Sequence, residues 1–218
     1  MAHRILGLQD RLIHEREQFR NLATKDTLTG LWSRGAFGDL LARELDRAYR
    51  LKTEVGLLFL DIDHFKEIND THGHLVGDLV LKEVAARLSK CLRSYDSIGR
   101  YGGEEFCVVL PGCPISSLGE RAESIRKTIS GEPFRINGLS VSMTVSVGAS
   151  TSKAAAIGSS ELMAIADVAL YRAKSAGRDC SVLCQNPWHE SCLSTELLKG
   201  QCVACESYQS GACIVAQE

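Results

Sequence analysis

Two acidic clusters carry the chemistry open to this sequence. Glu104 and Glu105 are adjacent in Gly102-Gly103-Glu104-Glu105-Phe106. The flanking stretches, Ser97-Ile98-Gly99-Arg100-Tyr101 and Cys107-Val108-Val109-Leu110, read as β-strands, and a Gly-Gly dipeptide favours the tight hairpin that joins them. Upstream, the apolar run Val55 to Leu60 breaks into acid at Asp61-Ile62-Asp63, which predicts a strand covered on both faces whose end meets solvent. Taken singly, hairpin glutamates are commonly solvated, and an aspartate at a strand end is commonly a turn residue. Two hard-oxygen clusters on neighbouring strands suit Mg²⁺, which takes one or two carboxylates and fills its octahedron with water and substrate phosphates. That is nucleotide chemistry.

The order of the motifs adds to this. A first motif reads Asp26-Thr27-Leu28-Thr29-Gly30-Leu31-Trp32-Ser33-Arg34. The acidic strand continues as Asp61-Ile62-Asp63-His64-Phe65-Lys66-Glu67-Ile68-Asn69-Asp70, then His72-Gly73-His74 and Gly77-Asp78. After the glycine turn comes Ala166-Asp167-Val168-Ala169-Leu170-Tyr171-Arg172-Ala173-Lys174-Ser175-Ala176-Gly177-Arg178-Asp179. This set resembles the GGDEF family of diguanylate cyclases over about residues 26 to 180, with glutamate in the variable third place of the turn. Ser33 and Asp179 stand where the family usually has asparagine, which bears on local turn geometry and not on a catalytic position.

The resemblance implies condensation of two GTP molecules into cyclic di-GMP, each 3′-hydroxyl attacking an α-phosphorus with release of pyrophosphate. It implies two Mg²⁺ ions, with Mn²⁺ as a substitute, on Asp61, Glu104, Glu105 and the Ile62 carbonyl. Glu104 would accept the 3′-hydroxyl proton and Lys66 would offset charge on the phosphates. Lys174 and Arg178 would reach the outer phosphates; pairing with a helix C-terminal dipole is the alternative for Lys174. Phe65, Asn69, His74 and Asp78 would bind the nucleotide. A carboxylate at Asp78 accepts from the N1–H and N2 amino groups of guanine, whereas adenine N1 is itself an acceptor, so ATP should be rejected. Gly77 either leaves room for the base or accommodates packing. One site holds one GTP, so the reaction implies a homodimer with two sites facing each other. Arg93 and Asp96 match the family's inhibitory product site in spacing and in distance before the turn. A silent receptor for GTP or cyclic di-GMP, and a scaffold that binds no nucleotide, are the rival readings.

Strands and helices must position these residues. The pattern predicts a helix, a strand over 55–62, a helix from about 74 to 92, a hairpin over 97–111, a helix from about 116 to 130, strands near 134–150 and a helix over 160–176. Interleaving of this kind is α/β (α+β); the resemblance specifies a central, mostly antiparallel sheet flanked by helices, like a polymerase palm or nucleotidyl cyclase. Residues 1–25 place Ile5, Leu8, Leu12, Phe19 and Leu22 on a heptad frame interrupted by Glu15, a helical stalk that would pair two copies or pack on its own domain. The domain then covers 26–182 and a cysteine-rich tail 183–218. The tail holds Cys184, Cys192, Cys202, Cys205 and Cys213; Cys202-Val203-Ala204-Cys205 has zinc-like spacing without a second such pair, and reduced thiols are the alternative. The 218 residues, 44% hydrophobic, can bury one domain of roughly 150 residues. A net charge of −2 gives no sign of a nucleic-acid binder. No stretch approaches the ~20 apolar residues of a membrane span, and the N-terminus lacks an apolar signal core, so the expected location is cytoplasmic.

Overall fold

A computed structural model describes residues 24–152 and 157–184. The expected stalk, apart from its last two residues, and the tail cysteines beyond Cys184 lie outside the described residues. The central strand β1 (Val55–Ile62) is buried along its whole length, as its unbroken apolar run requires. Around it the sheet runs in the order β2 (Ser97–Arg100), β3 (Glu105–Pro111), β1, β6 (Val145–Thr151), β7 (Ser181–Leu183). The β2–β3, β3–β1 and β1–β6 pairs are antiparallel and β6–β7 is parallel. A separate hairpin joins β4 (Phe134–Ile136) to β5 (Leu139–Val141).

Side-chain alternation sorts β1 onto two cores. Leu58, Leu60 and Ile62 pack with α2 (Phe65–His72), α3 (His74–Cys91) and α4 (Ile115–Ser130). Val55, Leu57 and Phe59 pack with α1 (Arg34–Leu51) and α5 (Ser159–Ser175). By the period-two rule Asp61 belongs to the second face, the one α5 covers.

Two elements depart from the expected order. Phe65–His72, read as a connection, is a helix of its own; Gly73, at φ 83° and ψ 157°, ends it and starts α3. Eight residues are too few to display a helical period beside a second helix. Strand β7 escapes sequence reading because three residues carry no alternation, and it exists through pairing with β6. Leu183 closes that strand, and Cys184 is buried with Ile165, Ala169, Ala173 and Val182, so the sheet runs past residue 182.

Helix α5 lies unusually close to the sheet because β6 offers it Gly148. A Cβ there would come 2.2 Å from the Ala166 carbonyl oxygen and 2.3 Å from the Leu170 nitrogen, both backbone atoms that cannot turn aside. Gly148→Ala must therefore lift α5 from β6. The expected loss is about 1–3 kcal/mol of stability, by the usual cost of overpacking a core, read as a fall of several degrees in thermal midpoint.

Candidate active site

The β1–β3 register sets Asp61 directly opposite Glu105. The Ile62 N–H donates to the Glu104 carbonyl at 3.3 Å, and the Tyr101 N–H donates to the Glu105 carbonyl at 2.8 Å. The glycine turn is thus pinned at both ends. At Gly102 a Cβ would stand 2.1 Å from Glu105 Oε2, so the carboxylate folds back over this glycine and a side chain there would displace it. Lys174, in the last turn of α5, reaches across the closely packed helix and sets Nζ 2.7 Å from Asp61 Oδ2.

The three carboxyls disturb one another. Burial raises the Asp61 pKa against the opposing Lys174, and the nearby Asp63 charge raises it further. Burial and Asp61 raise Glu104, with Lys174 opposing. Glu105 is raised by burial, Asp61 and Asp167, while Lys174 and Arg34 oppose. Such a cluster favours protonation or the arrival of positive charge. Among the described residues no group of three or more His, Cys, Asp or Glu side chains forms a ready cage for a metal ion. The donor set fits a hard divalent cation that draws much of its shell from water and substrate phosphates.

The remaining predicted residues fall on three segments. Lys66 is exposed in the first turn of α2, and His74 and Asp78 are exposed one turn apart at the start of α3. Between them Asn69 lies against Gly77, where a Cβ would come 2.0 Å from Asn69 Oδ1, so this glycine accommodates the asparagine. The Phe65 side chain is 6% exposed and packs in the core, its ring beneath Gly77. Arg178 is exposed just past α5 in a left-handed conformation, φ 65°.

Arg93 and Asp96 part company. The Arg93 guanidinium is exposed and donates to Tyr95 Oη at 2.7 Å. The Asp96 carboxylate, 2% exposed, turns inward to accept from the Arg93 N–H at 2.9 Å and from Arg121 Nη2 at 3.2 Å. It is not poised to accept guanine donors as the sequence reading has it. An open cavity of about 210 Å³ lies beside the pair, lined by Lys25, Trp32, Leu92 and Ile98 among others. Arg121 comes from α4, 25 residues after Asp96, and no local spacing signals it.

Sequence reasoning also missed Arg100. Its guanidinium donates to the Gly103 carbonyl at 3.2 and 2.7 Å and to both Asp26 carboxylate oxygens at 3.2 and 3.3 Å. Asp26 in turn accepts from the Thr29 N–H at 2.8 Å and its hydroxyl at 2.6 Å. This brace fastens the glycine turn to the segment around Asp26. Both residues stand inside motifs quoted above, but only the fold brings residues 74 positions apart together.

The family described as "Diguanylate cyclase, GGDEF domain" matches residues 23–180. The chain is 44% identical over 163 residues to diguanylate cyclase DgcP of Pseudomonas aeruginosa, a match covering 75% of this chain and 24% of that protein. Among solved structures it is similar to the coiled coil and GGDEF domain of DgcB from Caulobacter crescentus in complex with c-di-GMP. That likeness has a TM-score of 0.77 at 33% identity and covers 85% of this chain and 97% of that one. The active GGEEF domain of a diguanylate cyclase from Vibrio cholerae gives 0.63 at 30% identity, over 70% and 96%. The chain spans 24% to 46% of the length of the first curated relatives it matches.

The brace carries a pH signature. Burial would raise the Asp26 carboxyl, but the hydrogen bonds from Thr29 and the charge of Arg100 outweigh it and hold the pKa below its ordinary value. A depressed carboxyl contributes stability above its unfolded pKa of about 4 and loses it as pH falls through the folded value. Asp26→Asn should therefore cost on the order of 1 kcal/mol at pH 7, allowing for partial exposure. In denaturant melts the gap from the parent protein should close as pH drops below about 4.

Proposed function

Because the chain belongs to the GGDEF family of diguanylate cyclases, we propose that it condenses two GTP molecules into cyclic di-GMP, releasing two pyrophosphates. The observation that carries this is the cross-strand placement of Asp61 opposite Glu105, with Glu104 beside them and Lys174 2.7 Å away. Asp61, Glu104, Glu105 and the Ile62 carbonyl would hold two Mg²⁺ ions, or Mn²⁺ in their place. When bound, such ions supply Lewis acidity at the phosphates and lower the pKa of the attacking hydroxyl.

The protein groups do the rest. Glu104 takes the 3′-hydroxyl proton as that oxygen attacks. Substrate phosphates compete with Asp61 for the Lys174 ammonium, and Lys66 and Arg178 add positive charge where the leaving pyrophosphate forms. Asn69 and Asp78 read the guanine edge and His74 adds a contact to the nucleotide, so these side chains select GTP over ATP. Forming both phosphodiester bonds requires two copies with their sites facing, and a dimerising segment within residues 1–25 would raise the effective concentration of one domain at the other. GTP as substrate places the reaction in the cytoplasm. Product would bind at Arg93, whose guanidinium is the exposed member of the Arg93–Asp96 pair, with Asp96 and Arg121 shaping the loop from within.

Purified protein incubated with GTP and Mg²⁺ should yield cyclic di-GMP, and with ATP no cyclic product. A receptor without turnover would bind the nucleotide and leave GTP unconsumed. Glu104→Gln should abolish product while keeping the protein folded, since it changes one half-buried turn carboxylate for an amide of the same shape; ordinary activity in that variant would remove Glu104 from the mechanism. Arg93→Ala should keep its initial rate while the concentration of cyclic di-GMP needed for half-inhibition rises about tenfold, the equivalent of ~1.4 kcal/mol. Superimposable inhibition curves would leave Arg93 an ordinary surface residue.

A further inference from the structure

One buried carboxylate at the edge of the site has no part in the mechanism above. Asp63 is 4% exposed. Its Oδ1 accepts from Ser146 Oγ at 2.7 Å, and its Oδ2 accepts from Thr144 Oγ1 at 2.7 Å and from the Asp179 N–H at 3.1 Å. Its own N–H donates to the Thr144 carbonyl at 3.0 Å. The hydroxyls belong to the start of β6 and the segment just before it. The Asp179 amide belongs to the turn that follows α5, 116 residues away in sequence.

That turn is an expensive conformation. Gly177, Arg178 and Asp179 follow one another at φ 117°, 65° and 46°, and the last two carry side chains that the left-handed region disfavours. Strain of this kind persists only where surrounding contacts over-determine it. Three such contacts are present: the Arg178 N–H donates to the Ala173 carbonyl at 3.1 Å, the Asp179 N–H donates to Asp63, and the Asp179 carboxylate pairs with Arg126. Arg126 is itself fixed by Glu123 at 2.6 and 2.9 Å. The residue held in the middle of this reversal is Arg178. It is exposed just past the helix end whose Lys174 sets Nζ 2.7 Å from Asp61 Oδ2, so the turn holds a second cation beyond that contact.

We propose that Asp63 is a positioning residue whose buried carboxylate locks the left-handed turn after α5 and thereby aims Arg178 at the outer phosphates of the bound nucleotide. This rests on the phosphate role given to Arg178 above. Asp179, where the family usually has asparagine, is fastened a second time through its carboxylate to Arg126. Asp63→Ala removes both acceptor oxygens, so the Asp179 N–H loses its partner along with the two hydroxyls. The turn should then sample other conformations and Arg178 should lose its aim.

The test is calorimetric binding, with Mg²⁺, of a GTP analogue bearing a methylene bridge between the α- and β-phosphorus, set against GMP, which lacks the outer phosphates. Asp63→Ala, Arg178→Ala and the double variant are compared with the parent protein. Each single variant should bind the analogue about tenfold more weakly and GMP within twofold of the parent, and the double variant should be no weaker than either single one, because both remove one interaction. Additive losses, or an Asp63→Ala variant that loses GMP as much as analogue, would overturn the inference while leaving the role of Arg178 intact. An Arg178→Ala variant with parental affinity for the analogue would instead overturn that role, and the inference with it. Should Asp63→Ala not fold, Arg126→Ala removes the second fastening of Asp179 from outside the site; it should cost about threefold for the analogue and nothing for GMP, and an unchanged ratio overturns the proposal.

Discussion

Asp61 and Glu105 face each other across two hydrogen-bonded strands, and like charges in that relation repel. The rest of the molecule is organised around holding them there. Register alone fixes the pair, since slipping β3 by one residue would turn its buried side chains to the other face of the sheet. The eight buried residues of β1 and the apolar run of β3 make that slip prohibitive. The hydrophobic core thus stabilises an electrostatic arrangement that water would otherwise disperse, and the raised carboxyls are the visible remainder of that conflict.

Positive charge reaches the pair by packing. Lys174 and Arg178 sit at and just beyond the end of α5, and that helix lies against β6 only because Gly148 presents no side chain to it. The same helix buries Leu162, Ala166 and Leu170 on one stripe and Ile165, Ala169 and Ala173 on another. Its direction is therefore fixed twice, once against β1 and β3 and once against β7. A cation carried by a loop would lose more conformational entropy on meeting Asp61 than one carried by a helix gripped along its length.

Much of this was legible in the sequence, for definable reasons. The unbroken apolar run of β1, the Gly-Gly hairpin and the long helices announce themselves through period and turn chemistry. The acidic cluster was legible because Asp61 and Glu105 end adjacent strands. Contacts with no local signature stayed hidden. Arg100 reaches Asp26, Arg121 reaches Asp96 and Asp179 reaches Asp63 over separations of 74, 25 and 116 residues, and nothing in the spacing of either partner encodes the meeting. The burial of the Phe65 ring stayed hidden for a related reason: a motif names a residue type without saying whether it faces solvent or core.

The two margins of the sheet have a bearing on how copies can meet. On one side β2 is four residues long, and its outer backbone is already engaged: the Trp32 N–H donates to the Ile98 carbonyl at 3.1 Å and the Arg100 N–H to the Trp32 carbonyl at 2.9 Å. On the other side β7 offers three residues. Short, covered margins are how sheets avoid templating further strands. Two such domains therefore have little to gain by joining into a continuous ten-stranded sheet, the twofold of the 5-stranded one seen here. The sheet margins among the described residues are thus poor surfaces for pairing one copy with another.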